Sequence, residues 1–115
     1  MVSKRHADLQ VCPNGREVGG CTYFEFKSVS EVPPKNFNDQ FVKDLLNKGV
    51  ERLSQIKWIF DRKKLPEGYN FKGKMKKAIE KMDIPELALK KFGKESVDEL
   101  KNDIIKNFDN IFQVK

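Results

Sequence analysis

The stretch Tyr23-Phe24-Glu25-Phe26-Lys27-Ser28-Val29 constrains this chain most. Phe24, Phe26 and Val29 stand against Glu25 and Lys27, and such alternation is the pattern of a β-strand with one face on a core. Side chains two apart on a strand point the same way, so Glu25 and Lys27 share the second face. A carboxylate beside an ammonium on a strand can hold a metal ion and a water. The same E-x-K spacing also occurs on ordinary solvated strands, and as a motif it is short and degenerate.

A partner strand precedes it. Residues 6–12 alternate as well, and Pro13-Asn14-Gly15 followed by Gly19-Gly20 signals a turn before residues 21–29. Setting Cys12 opposite Cys21 fixes the register. Leu9 then meets Phe24, Ala7 meets Phe26 and Val11 meets Thr22, which gives one apolar face, read here as the core face. On the other face Asp8 meets Glu25 and His6 meets Lys27. Opposed residues have Cβ atoms about 5 Å apart, where two carboxylates repel. A divalent cation between Asp8 and Glu25 removes the objection, because hard cations take carboxylate oxygens. A slip of one residue would send Asp8 to the opposite face. The register makes a Cys12–Cys21 disulfide geometrically conceivable; the expectation is two free thiols of a cytosolic protein. A zinc site on Cys12, Cys21 and His6 lacks a fourth ligand and a standard spacing.

The rest of the chain reads as alternating elements. Pro33-Pro34 ends the second strand, since proline cannot donate to a ladder. Asn36 or Asn38 can cap a helix over residues 38–54, whose Phe41, Val42, Leu45, Leu46 and Leu53 fall on one face. Gly49 weakens that helix, and marks either a close approach or a break before Val50. Gln40, in the first turn, faces either the metal side of the sheet or solvent. Ile56-Lys57-Trp58-Ile59-Phe60 is a third strand, with Trp58 a core residue rather than a base-stacking platform. Strand, helix and strand make a crossover unit. Residues 65–74 form a loop with aromatics among lysines, a composition that suits both an ordinary connector and a phosphate-backbone contact. A short basic helix follows over residues 74–82, then one from Pro85 to Gly93. A Ser96–Glu99 capping box opens a last helix running through Leu100, Ile104, Phe108, Ile111 and Phe112.

At 115 residues the chain is one domain. Its net charge of +6, with 35% charged residues, suits an anionic partner, nucleic acid before a membrane surface, or simply a Lys-rich surface. Lys63, Lys64, Lys72, Lys74, Lys76 and Lys77 are the candidate phosphate contacts. No apolar run approaches the roughly 20 residues of a membrane span, and residues 1–5 lack the apolar core of a signal peptide. His6 is the only histidine, and no plausible Ser-His-Asp set is read around it. There is no Gly-rich phosphate loop and no internal repeat.

With Asp8, the E-x-K at Glu25 and Lys27, and a helix and strand following, residues 6–61 resemble the PD-(D/E)xK nuclease superfamily. The overall texture resembles the C-terminal nuclease domains of bacterial polymorphic and contact-dependent toxins. The resemblance implies a mixed α/β fold: a small central sheet bearing the E-x-K hairpin, flanked by helices, in a restriction-endonuclease-like core. Residues 62–115 would add a basic helical part. It further implies that Asp8 and Glu25 hold Mg²⁺ or Mn²⁺, that Lys27 orients or activates the attacking water, and that Gln40 and His6 touch water or phosphate. The substrate would be DNA or tRNA, the place of action the bacterial cytoplasm, and a cognate immunity protein the partner. Two departures stand out. Ala7 precedes Asp8 where the family has its eponymous proline. The helix and strand that usually lead into the family core are absent from the seven residues before Asp8, so the chain is either a piece of a longer toxin or replaces those parts with its C-terminal helices. The competing reading is a non-catalytic basic binding or interaction domain on a degenerate nuclease fold.

Overall fold

A computed structural model describes residues 9–13, 15 and 20–115. Its strands are β1 (Leu9–Val11), β2 (Thr22–Lys27), β3 (Ile56–Phe60) and β4 (Phe112–Val114). They form one mixed sheet in the order β1-β2-β3-β4. The hairpin register is the expected one: Leu9 opposes Phe24, Gln10 opposes Tyr23 and Val11 opposes Thr22. β3 then adds parallel to β2, with Glu25 beside Trp58 and Lys27 beside Phe60. β4 adds parallel to β3, with Phe112 beside Trp58. Helices α1 (Phe37–Leu45), α2 (Phe71–Glu80), α3 (Glu86–Lys91), α4 (Val97–Lys106) and α5 (Phe108–Ile111) complete the fold.

The two sheet faces are reversed from the sequence expectation. Phe26, Leu9 and Val11 are 51%, 47% and 42% exposed, whereas Glu25 is buried. The cause lies in β3 and β4. Their register puts Ile56, Trp58, Phe60 and Phe112 on the side of Glu25, and all four are buried. These large side chains outweigh the hairpin's own apolar set, because burial free energy follows the apolar area removed from water. The stripe Phe37, Phe41 and Leu45 of α1 packs on that side. Phe37 and Phe41 lie edge-on to Trp58, with ring centroids 5.4 and 5.9 Å away. Phe71 of α2 packs on Phe60, and Phe108 of α5 on Phe112.

Other boundaries also move. The helix expected over residues 38–54 stops at Leu45, and a 3-10 turn (Leu53–Gln55) leads into β3. Lys91 ends α1 by donating from Nζ to the carbonyls of Leu45 and Asn47 at 2.6 and 2.5 Å, which places a cation on the negative end of the helix. Gly49 then passes so close to the sheet that a Cβ would lie 1.8 Å from the Tyr23 hydroxyl oxygen. Buried Gln55 ties this loop to the hairpin. Its Nε2 donates to the carbonyls of Cys21 and Gly49, and its Oε1 accepts from the amides of Glu51 and Arg52. The basic helix begins at Phe71, inside the expected loop, with Asn70 Oδ1 accepting from the Gly73 amide.

The C-terminal helix does not run through Phe112. It breaks at Asn107, and Phe112–Val114 becomes β4. Phe112-Gln113-Val114 has strand composition, and pairing with β3 satisfies backbone groups that a helix end would leave open. The capping box is half formed: Ser96 Oγ accepts from the Glu99 amide, while Glu99 Oε2 accepts from the Glu95 amide instead of that of Ser96. Cys12 and Cys21 are joined in a disulfide, which corrects the expectation of free thiols. The physical reason is the register itself, which sets the two residues opposite each other at the hairpin end. Among the described residues no helix is long and apolar enough to cross a membrane.

Candidate functional site

Because β2 and β3 are parallel and α1 joins them, α1 starts at the carboxyl ends of both strands. Open α/β sheets present ligand sites at that end. Lys27 is the last residue of β2, and Gln40 lies in the first turn of α1 directly over it. Lys27 Nζ donates to Gln40 Oε1 at 2.8 Å and lies 3.4 Å from Glu25 Oε1. The same ammonium stands over the Trp58 ring, 5.1 Å from its centroid. Trp58 Nε1 in turn donates to Asp44 Oδ2 at 2.8 Å. Glu25, Lys27, Gln40, Trp58 and Asp44 are therefore one connected polar network beneath α1.

This network is tightly enclosed. The side chains of Lys27 and Glu25 are 16% and 10% exposed. Burial strengthens each electrostatic contact, since the local dielectric is low. It also restricts approach to the carboxyl edge of the strands. A cavity of about 280 Å³ opens there, lined by Phe26, Lys27, Ser28, Ile59, Asp61 and Lys115 among others.

The structure brings Glu25, Lys27 and Gln40 together, so Gln40 takes the sheet side of its two expected directions. Asp8 and His6 lie outside the described residues. The six candidate lysines are not part of the network. Lys63 and Lys64 sit on the exposed turn after β3, and Lys72, Lys74, Lys76 and Lys77 lie along α2. Lys72 pairs with Asp109 at 3.2 Å, and Lys74 stands over the Tyr69 ring. Asp44 is the member that sequence reasoning missed. Two signals could have found it: it follows Gln40 by four residues on one helix face, and a buried tryptophan N–H needs an acceptor.

For a divalent ion the described residues offer the Glu25 carboxylate, with no group of three or more His, Cys, Asp or Glu side chains. Mg²⁺ keeps much of its water shell and commonly binds through one or two carboxylates. Glu25 is a single carboxylate, 10% exposed and 3.4 Å from the Lys27 ammonium, so an ion there would draw its remaining ligands from outside the described carboxylates. No protein-family model, curated protein or solved structure matches the chain.

Proposed function

We propose that this chain is a metal-dependent nuclease domain that hydrolyses phosphodiester bonds of DNA or tRNA, in the manner of PD-(D/E)xK toxin effectors with a restriction-endonuclease-like core. One observation carries the reading: the Lys27 ammonium is held between the Glu25 carboxylate and the Gln40 amide oxygen at the carboxyl end of β2. That end is where α1 also directs its first amides, and helix starts favour anions. Glu25, with Asp8 as the sequence resemblance implies, would hold Mg²⁺ or Mn²⁺; such an ion polarises a phosphate oxygen and acidifies a bound water. Lys27 would donate a hydrogen bond to a non-bridging phosphate oxygen, where charge builds as the phosphodiester is attacked. Gln40 fixes the direction of the Lys27 side chain. Asp44 holds Trp58, whose ring supports the ammonium from below.

The test is cleavage of plasmid DNA and total tRNA with Mg²⁺, with Mn²⁺ and with EDTA. Metal-dependent cutting is expected, with a loss of about 100-fold or more in Glu25→Gln and in Lys27→Met, on the scale of a lost general acid or base. Gln40→Ala should lose less. Full activity in either of the first two variants, or a folded wild-type protein that cuts neither substrate, overturns the reading. The enclosure of Glu25 and Lys27 favours a second reading, a non-catalytic binding domain in which they form a structural ion pair. That reading expects binding without cutting.

A further inference from the structure

Charge on this chain is sorted rather than spread. Of its 23 basic and 17 acidic residues, residues 62–81 hold eight basic and two acidic, Glu67 and Glu80. That surplus of six equals the net charge of the whole chain, so the residues outside the segment balance. Asp61 and Asp83 flank it. α4 shows ordinary mixing, with Asp98, Glu99 and Asp103 among Lys101 and Lys106. The fold concentrates the surplus further. Lys74, Lys77 and Lys81 follow at i, i+3 and i+7 along α2 and its C-cap, so they share one helix face. All three are exposed, while Met75 and Ile79 are buried on the other side of the helix. Among the described residues no carboxylate pairs with Lys63, Lys64, Lys74, Lys77 or Lys81. The stripe extends about 10 Å along the helix axis.

The start of α2 is fixed to the sheet edge that holds Lys27. Phe71 packs on Phe60, which ends β3 beside Lys27, with ring centroids 4.9 Å apart. The Tyr69 hydroxyl accepts from the amide of Val32, between β2 and α1, at 2.9 Å. Lys74 stands over the Tyr69 ring, 5.5 Å from its centroid. One end of the lysine stripe is therefore tied to the carboxyl edge of the sheet. Composition decides between polyanions. A helix that lies on a membrane sinks an apolar face into it, yet no large apolar side chain is exposed among the described residues 62–81. Lysine is depleted at the cores of protein–protein interfaces, where aromatic and apolar anchors dominate. Arg62 directs Nη2 to the Val114 carbonyl at 3.1 Å, and the Tyr69 and Phe71 rings are half-buried. The stripe thus offers a row of point charges, without the forks that read bases or the rings that stack on them. A phosphate backbone is the match for such a row: a duplex carries about six phosphate charges over the same length.

We infer that the face of α2 bearing Lys74, Lys77 and Lys81 docks a nucleic-acid duplex through its phosphates, independently of base sequence, and sets it against the carboxyl edge of β2 and β3. Lys63 and Lys64 sit at that same edge, on the exposed turn after β3. The inference deepens the nuclease reading and rests on it for the use made of the docked duplex, while docking itself needs no cleavage.

The experiment is fluorescence anisotropy of two labelled DNA duplexes of different base sequence, over a range of salt, with the full chain in EDTA. The two should bind alike, since phosphate contacts carry no sequence information. Lys74→Gln, Lys77→Gln and Lys81→Gln should each reduce the slope of log affinity against log salt by about 0.9. The three together should weaken binding at least about 10-fold. A second triple, Lys48→Gln, Lys90→Gln and Lys106→Gln, removes the same charge from exposed sites elsewhere and should lose far less. Equal losses in the two triples would make binding a matter of net charge and overturn the inference. So would a wild-type protein that binds neither duplex, or one that prefers either sequence by about 10-fold, on the scale of a base contact. Co-sedimentation with phosphatidylserine vesicles in place of duplex binding would make α2 a membrane contact instead. Melting curves of each variant establish that it is folded. Docking that the α2 triple loses, with no cutting by wild type in Mg²⁺ or Mn²⁺, leaves this inference standing and removes the nuclease reading. Cutting by wild type with unaltered duplex affinity in the α2 triple does the reverse.

Discussion

The two faces of the sheet are made from one hairpin and differ in almost everything else. The face beneath α1 carries Glu25 and Lys27, yet it is buried. The opposite face carries Phe24, Phe26, Leu9 and Val11, yet it is open. Two-residue alternation shows that a strand has two faces but does not say which one the rest of the chain will cover. Here β3 and β4 decide it, by placing Trp58, Phe60 and Phe112 on the Glu25 side. The polar residues on the covered face are then held by named partners, whereas Leu9, Val11 and Phe26 on the opposite face stay exposed.

The contrast predicts unequal consequences for similar cuts. Trp58→Ala removes the largest fully buried side chain, on the covered face, and should cost about 3–5 kcal/mol. Phe26→Ser, on the open face, should cost about 0.5 kcal/mol or less. Urea unfolding followed by circular dichroism measures both; equal losses would mean that the two faces are not unequally covered, and a larger loss in Phe26→Ser that they are assigned the wrong way round.

A smaller effect sharpens the account of the covered face. Asp44→Ala leaves the Trp58 N–H without its 2.8 Å acceptor and should cost about 1–3 kcal/mol. If the network also positions Lys27, this variant cuts nucleic acid more slowly even at temperatures where it is fully folded. A stability loss with unchanged cutting would confine Asp44 to a structural part.

The smallest effect lies on the open face. Lys115→Gln removes a like charge, so the Lys57 pKa should rise toward its ordinary value of 10.5. Burial of Lys57 persists, so the rise is incomplete. NMR titration of the Lys57 side chain reads the shift directly. No upward movement would mean that the two ammonium groups do not act on one another.

Much of the fold was legible where a local pattern and its tertiary role agree. The hairpin register followed from matching Cys12 to Cys21, and the third strand from the dense run Ile56–Phe60. The pairing of Lys27 with Gln40 was open in the sequence, because a first-turn glutamine can face either way and only the seating of α1 chooses. The last strand was hidden because Phe108, Ile111 and Phe112 continue a helical stripe; only pairing with β3 favours an extended Phe112–Val114. The disulfide was underrated because two cysteines by themselves say little about redox state. Asp44 was missed because its role depends on where the Trp58 indole nitrogen points, which no periodicity encodes.

The most direct measurement uses the single tryptophan. Trp58 lies beside Glu25 across the β2–β3 pair and beneath Lys27. Titrating the protein with Mn²⁺, a paramagnetic quencher, while recording tryptophan fluorescence reports an ion at the covered face and nowhere else in the chain. The account predicts saturable quenching that Mg²⁺ competes away and that Glu25→Gln abolishes. Fluorescence unchanged by Mn²⁺, or quenched equally in Glu25→Gln, would contradict it.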